Sequence, residues 1–387
     1  MLKAKINTRY YIYTTMTEIE EKNVNENPIG FKYVEGPVIV YKGFDKDFCC
    51  HGKQYEVGKS YHTDGDMKYL SEVFYGSIKS TEAIMTYDSY ECTRFAVVEL
   101  SGTVIKRDYN FYMASDMKII REIDWSDLIK RVSYALKSRK IELVTRRKYF
   151  FEPDYVIKDN EVTPFTFKDK KIYVNGKNSM LASMGGGCEV LYDEGSIVSG
   201  MGVSQKIRSI AIEAKIMSSG DVSHIDSYGE RAQICNMGDY SKMFVTGDST
   251  YLVNSGLGCS IISTGKYNYI SDCCHGTLVV SSGENATISV TGNETQVLST
   301  GDNARIVVAG DDCYVTCCGK NTVISIIGEK CTVRAKDWTN VTFAGIKTDL
   351  AQLSAGSYKS VTYFAGNAPD SKTWRFMNDG NIEENKK

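Results

Sequence analysis

From residue 202 onward, apolar positions return every ninth residue without a break in phase. In a nine-residue frame opening at Gly202, the lead position is glycine in every unit to Gly328 except at Ala211 and Cys274. The sixth position, from Ile207 and Ile216 through to Ile324 and Val333, is always aliphatic or Met. Around each sixth position the pattern alternates in steps of two, which predicts a short strand. Positions four, six and eight share one face, and positions five and seven the other. Position four is small in most units (Ala214, Ala232, Cys259, Ala286, Cys313), as a narrow core requires. The lead glycine is read as the residue that makes the tight turn.

One such unit cannot close a core. Two units, eighteen residues, make a flattened coil with two opposed strands, and stacking coils buries their inner faces. The pattern therefore predicts a parallel β-solenoid. The regular frame gives about 7.5 coils, or roughly 36 Å at about 4.8 Å per strand spacing. Irregular segments at 185–201 and 337–345 extend this to about eight 18-residue coils over 185–345. Residues 346–387 are expected to cap the open end and finish in a tail. Calcium-binding nonapeptide rolls need carboxylates in a G-G-x-G-x-D turn. Here the glycines are single and the next residue varies (Leu257, Lys266, Lys320), so no calcium is expected.

Eighteen-residue spacing also predicts which outward side chains stack. One seventh-position column reads Arg208, Asp226, Phe244, Ile262, Val280, Leu298, Thr316, Arg334, with Leu278 and Tyr314 beside it. An apolar strip rimmed by charge is seldom left to solvent. Phe244, Ile262, Leu278, Val280, Leu298 and Tyr314 are therefore the expected interaction surface. Cover by another part of the chain, self-association and a foreign partner are all open at this point. The opposite face is more mixed and carries Met217, Val253 and stacked Tyr251 and Tyr269.

The first half lacks the repeat and reads as α+β, giving a mainly β chain overall. Strands are predicted at 9–15, 36–44, 95–105, 117–123 and 170–177. A helix is predicted within 66–86. Another starts at Ser126 as N-cap and puts Leu128, Ile129, Val132 and Leu136 on one face. The expected division is an α+β domain over 1–125 and a helix with connecting strands over 126–184. Within it, "CHGKQYEVGKSY" (50–61) presents Cys50, Gly52, Gln54, Tyr55, Glu56, Val57, Gly58, Lys59 and Tyr61. This C-x-G-x-Q-Y-E-V-G-K-x-Y string resembles an uncharacterised domain of bacteriophage and prophage-type proteins. "RFAVVELSG" (94–102) and "KIIREIDW" (118–125) are similar to its closing strands. The resemblance covers about 41–125 and implies a phage-associated protein, often continued by short Gly-rich repeats. Family members usually carry a Gly-Phe-His element in the middle; here "VFYGS" (73–77) stands there and the histidine is missing. The resemblance brings no established reaction.

Composition narrows the chemistry. The 387 residues carry a net charge of −2, which gives no global attraction to nucleic acid or anionic lipid. The opening residues show no signal-peptide core, and no window is apolar enough to span a membrane. Twelve cysteines without C-x-x-C spacing read as reduced thiols, expected in a bacterial host cytosol or a virion. Cys49, Cys50, His51, His62 and Cys92 could be drawn as a zinc site. Adjacent residues on a strand point to opposite faces, so a turn with a buried thiol is the expectation, with no metal or cofactor. No nucleophile elbow, P-loop or dinucleotide fingerprint occurs, which leans against an enzyme. Two alternatives remain. Glu56, Lys59, Arg94 and Arg121 could line a site for a nucleotide or other small molecule. Lys130, Arg131, Lys137, Arg139, Lys140, Arg146, Arg147 and Lys148 could contact phosphates of a nucleic acid. The leading expectation is a non-enzymatic scaffold or interaction protein that uses a rigid solenoid for docking to a host or phage protein, or for self-association.

Overall fold

The computed structural model describes residues 32–45, 47–67, 69–87, 94–107, 111–123, 127–136, 138, 152–175, 179–192, 196–335 and 339–343, and the backbone strands of 349–354, 357–361, 372–376 and 382–384. The strand expected at 9–15, Cys92, Ser126, and the basic residues Lys137, Arg139, Lys140, Arg146, Arg147 and Lys148 lie outside them. The chain divides into two compact units, Met1–Ala135 and Leu136–Lys387.

In the first unit, β1 (Lys32–Val34), β2 (Val38–Phe44), β5 (Ser60–His62), β6 (Phe74–Ser77), β7 (Arg94–Lys106) and β8 (Phe111–Ile123) form one antiparallel sheet in the order β1-β7-β2-β6-β8-β5. β7 also pairs with β8, so the sheet folds back on itself. Such closure needs sharp bends, and β7 supplies them with register shifts at Val97/Val98 and Ser101/Val104. Gly102 sits in the second bend at φ +73, where a Cβ would meet the Asp116 carboxylate at 1.8 Å. Val40, Phe44, Phe74, Val98, Leu100, Met117 and Ile119 fill the core. Between β2 and β5 lies a small hairpin, β3 (Cys49–Cys50) and β4 (Lys53–Gln54). Helix α1 (Ser80–Thr86) packs on β2 and β6. Helix α2 (127–136) buries Leu128, Ile129, Val132 and Leu136, the face its periodicity predicts.

The second unit is the parallel β-solenoid. Its two sheets stack strands of about four residues in steps of eighteen, for example Lys206↔His224↔Lys242 in one and Lys215↔Gln233↔Tyr251 in the other. There are about ten coils, more than the regular frame predicts. The added coils lie before residue 185, because the parallel ladder already includes Tyr155–Ile157 and Val162–Phe165. The nine-residue phase slips there: Glu189 pairs with Lys206 and Met180 with Ile197, seventeen residues apart. One missing residue hides the repeat while leaving the pairing intact. At the far end, antiparallel strands at Ser357–Val361, Lys372–Phe376 and Ile382–Glu384 complete the two sheets. This turns away from the parallel stacking that would leave an open edge.

The lead glycine has a different role from the one its position suggests. The left-handed residue is the third of each unit, as at Ser204, Val222, Tyr240, Asn285 and Asn303, and it is seldom glycine. The lead glycine is needed for close stacking. A Cβ on Gly283 would lie 1.7 Å from the Gly265 carbonyl oxygen, and one on Gly301 would lie 1.9 Å from that of Gly283. Each third-position amide donates to the second-position carbonyl one coil on, as Asn285 N–H does to Asp302 at 2.9 Å.

Candidate interaction surface and ligand-site residues

The column expected to be exposed is buried. Phe244, Ile262, Leu278, Val280 and Leu298 are at most 1% exposed, and Tyr314 is half-buried. They occupy the outward positions of the sheet containing Lys206–Ser209, which two-residue alternation predicted correctly. The interaction surface assigned to these residues is therefore corrected: in this structure the five apolar side chains are buried. Polar neighbours in the same column, Asp226 and Thr316, are buried too. At one end of this covered strip Arg208 bonds Glu189 and lies 3.6 Å from Asp226, which also meets His224 at 3.0 Å. These contacts pair the charges that border the apolar centre.

The outward face of the other sheet is the accessible one. Its strands alternate buried and open positions, and Met217, Tyr251, Val253, Tyr269, Val307 and Val323 are between 38% and 60% exposed. The Tyr251 and Tyr269 rings sit one coil apart with centroids 6.0 Å apart. Its outward positions from Met180 to Ser325 include Lys215 and Arg305 but no Asp or Glu. The sequence presented this face as the more mixed of the two. Period-two alternation gives each face's composition, but not which face the rest of the chain covers.

The turns explain why Asp and Asn follow the lead glycine. Asp221, Asp239, Asp248, Asp302 and Asp311 each accept the backbone amide eighteen residues on, at 2.7–2.9 Å. Their carboxylates stitch coil to coil. Among the described residues no group of three or more His, Cys, Asp or Glu could hold a metal ion.

In the first unit the four expected ligand-site residues fall into separate arrangements. Glu56 and Lys59 form an exposed i,i+3 ion pair at 2.6 Å. Arg94 makes a two-pronged bond to Glu122, 2.7 Å on each side, and its guanidinium lies over the Phe48 ring at 4.5 Å. Arg121 is exposed on β8, across the ladder from Val97. Two of these charges are thus engaged with carboxylates in ordinary surface pairs. In the basic segment, Lys130 is exposed 3.9 Å from Asp127, and Arg131 lies against Tyr41.

A different group converges. Lys42 is 1% exposed and stands in the alternation of β2 between the core residues Val40 and Phe44. Its Nζ donates to the Tyr75 carbonyl at 3.3 Å and lies 3.7 Å from the centroid of the Tyr75 ring. The Tyr75 hydroxyl meets His51 Nε2 at 3.0 Å, and the Tyr87 hydroxyl reaches the Tyr75 carbonyl at 3.5 Å. His51 and Gly52 form the two-residue tip of the β3–β4 hairpin, both at positive φ (49 and 72). That is a type I′ geometry, which matches strand twist. Burial and the nearby Lys42 charge hold the His51 pKa down. The signal for this cluster was present in "VIVYKGF": a lysine at the step where alternation demands a core residue.

Several of the solenoid cysteines are core thiols, while Cys273 is exposed. Cys259, Cys313, Cys317 and Cys331 are fully buried. Burial pushes the Cys259 thiol up to about 12, and that of Cys317 up as well, so neither is a thiolate at neutral pH. No helix among the described residues is long and apolar enough to cross a membrane.

Residues 38–131 match the model of a domain of unknown function, DUF7666. This segment holds β2 to β8 and the first half of α2, with the Lys42 cluster inside it, and the solenoid follows it in the chain. No curated protein matches the sequence, and no solved structure does.

Proposed function

We propose that this is a non-enzymatic interaction protein of bacteriophage or prophage type, in which the solenoid is a rigid support that docks a partner protein. What supports a structural role is the economy of the coils. From 196 to 335 every connection between strands is a short turn, with no inserted loop to build a lid or a cleft. Functional groups are usually carried on such loops. The observation that carries the docking reading is the open sheet face centred on Tyr251, Val253 and Tyr269.

The partner's chemistry follows from charge. Lys215 lies two coils before Tyr251, and Arg305 two coils after Tyr269. Two-fold pairing of this face with itself about the tyrosines would set Lys215 against Arg305, which is repulsive. The face fits a foreign protein with an apolar centre and flanking carboxylates. Aromatic anchors of this kind are enriched at interfaces.

The test compares capture from host lysate by the wild-type chain and by a Tyr251→Ala/Tyr269→Ala variant, with light scattering alongside. A protein retained by the first and lost by the second, at unchanged melting temperature, supports the reading. Equal capture by both, or a stable dimer broken by the double substitution, overturns it.

A further inference from the structure

We propose that Lys42, His51 and Tyr75 form a binding site for a small ligand bearing a carboxylate or phosphate group, whose negative charge meets the Lys42 ammonium. The argument begins with the cost of the lysine. A buried ammonium loses its hydration, and an unpaired one is strongly destabilising unless something returns that energy. Among the described residues Lys42 has no carboxylate partner. Its protein contacts are one carbonyl, the Tyr75 ring face and the more distant Phe44 ring at 5.8 Å. A cation–π contact offsets part of the loss, and one carbonyl uses one of the three ammonium N–H donors. Among the described residues no opposite charge meets the ammonium. A lysine used merely to fill a core would be inferior to Met or Leu at the same step.

The neighbouring groups suit an anion. His51 is open to solvent at the hairpin tip while its ring is part-buried against Tyr75, and burial with the Lys42 charge lowers its pKa, so the ring adds no second positive charge. The Tyr75 hydroxyl is bonded to His51 Nε2 at 3.0 Å. Because the two are bonded to each other, the pair offers one N–H or O–H to a ligand, and together with the ammonium that gives two donors of the kind that recognise a carboxylate or phosphate. The type I′ turn sets the left-handed conformation of His51, and its ring lies beside Tyr75. The hairpin beneath it has only two residue pairs, Cys49↔Gln54 and Cys50↔Lys53. His51 is the solvent-open member of the cluster, so a small anion would approach from its side.

The experiment is calorimetric titration of the full chain with inorganic phosphate and, separately, with acetate, at matched ionic strength. Saturable binding of at least one anion is expected, and which one binds identifies the headgroup. Lys42→Met should weaken it by about tenfold or more, the loss of a charge-assisted contact. His51→Gly removes the ring at a position whose backbone glycine accepts, so it should fold normally and bind several-fold more weakly. Absence of saturable binding by both anions overturns the proposal. So does unchanged affinity in either variant.

Discussion

The carboxylate of Asp239 accepts the backbone amide of Leu257 at 2.8 Å, eighteen residues along the chain and one coil further on. The amide of Asp239 is in turn held by Asp221 at 2.9 Å. These bonds do at the turns what a bound cation does in calcium-dependent rolls: they tie successive coils together. Asp239→Ala should therefore lower stability by about 1 kcal/mol, the usual net value of one such bond. Asp239→Asn should recover most of it, because Asn293 already plays the same part for Asp311 at 2.9 Å. Chelator should leave the melting temperature unchanged. Denaturant unfolding of the two variants, and a thermal melt with excess chelator, check these outcomes.

Gly283 and Asn285 make opposite demands on the same turn. Gly283→Ala puts a Cβ 1.7 Å from the Gly265 oxygen, and backbone lies on that side, so coils must move apart. A loss of about 3 kcal/mol or more is expected. Asn285, at φ 58, is left-handed in open turn geometry, so Asn285→Gly should be neutral within about 0.5 kcal/mol. If the lead glycine served only backbone conformation, Gly283→Ala would cost about 1–2 kcal/mol, short of the loss a backbone clash imposes. Melting curves of the two variants separate the cases. Cys274 shows what departing from glycine entails: its thiol is turned onto the Ser255 carbonyl at 2.7 Å.

Asp272 ends a buried polar ladder. Asn236 Nδ2 donates to Asn254 Oδ1 at 2.8 Å, and Asn254 Nδ2 donates to Asp272 Oδ1 at 2.7 Å. Burial raises the Asp272 pKa from 3.8 to about 6, against the hydrogen bonds it accepts. The folded state therefore holds a proton that the unfolded chain has released between those values. Stability from this group is full below about pH 4 and is lost as pH rises through about 6. The difference above pH 6 is on the order of 2–3 kcal/mol. Asp272→Asn removes the titration. It can also extend the ladder, since Asn236 and Asn254 each donate to the carbonyl two residues ahead at 2.8 and 3.0 Å. The variant should be more stable than wild type at pH 7.5 and should lose the slope between pH 4 and 6. Unfolding measured across that range decides it.

The sequence revealed the solenoid because its physics is local and periodic. A step of nine with an aliphatic at the sixth position can bury only one face, and Ile207 to Val333 do so without exception. The coils before residue 185 escaped notice for an equally local reason, the one-residue slip between Glu189 and Lys206. The functional surface was harder to read. Period two assigns Val280 and Val253 alike to outward positions, and only the course of the remaining chain decides that one is covered and the other open. Glu56, Lys59, Arg94 and Arg121 stood out as charges, yet exposed charges are mostly paired or solvated. Lys42 carried the stronger signal because its place in the alternation conflicts with its chemistry.

Val280 is the sharpest test of which face is free. It is fully buried and stands in register between Ile262 and Leu298, both equally buried. Val280→Lys would set a charge among apolar side chains with no partner, which costs about 3–5 kcal/mol. The variant should melt well below wild type or fail to fold. Val253 is 40% exposed on the opposite sheet, and Val253→Lys should change stability by no more than about 0.5 kcal/mol. Had the Val280 column been a docking surface for a second copy, Val280→Lys would instead reduce the mass measured by light scattering and spare the melt. The buried geometry demands the reverse: a large drop in melting temperature for Val280→Lys, a small one for Val253→Lys, and the same mass for wild type and Val253→Lys.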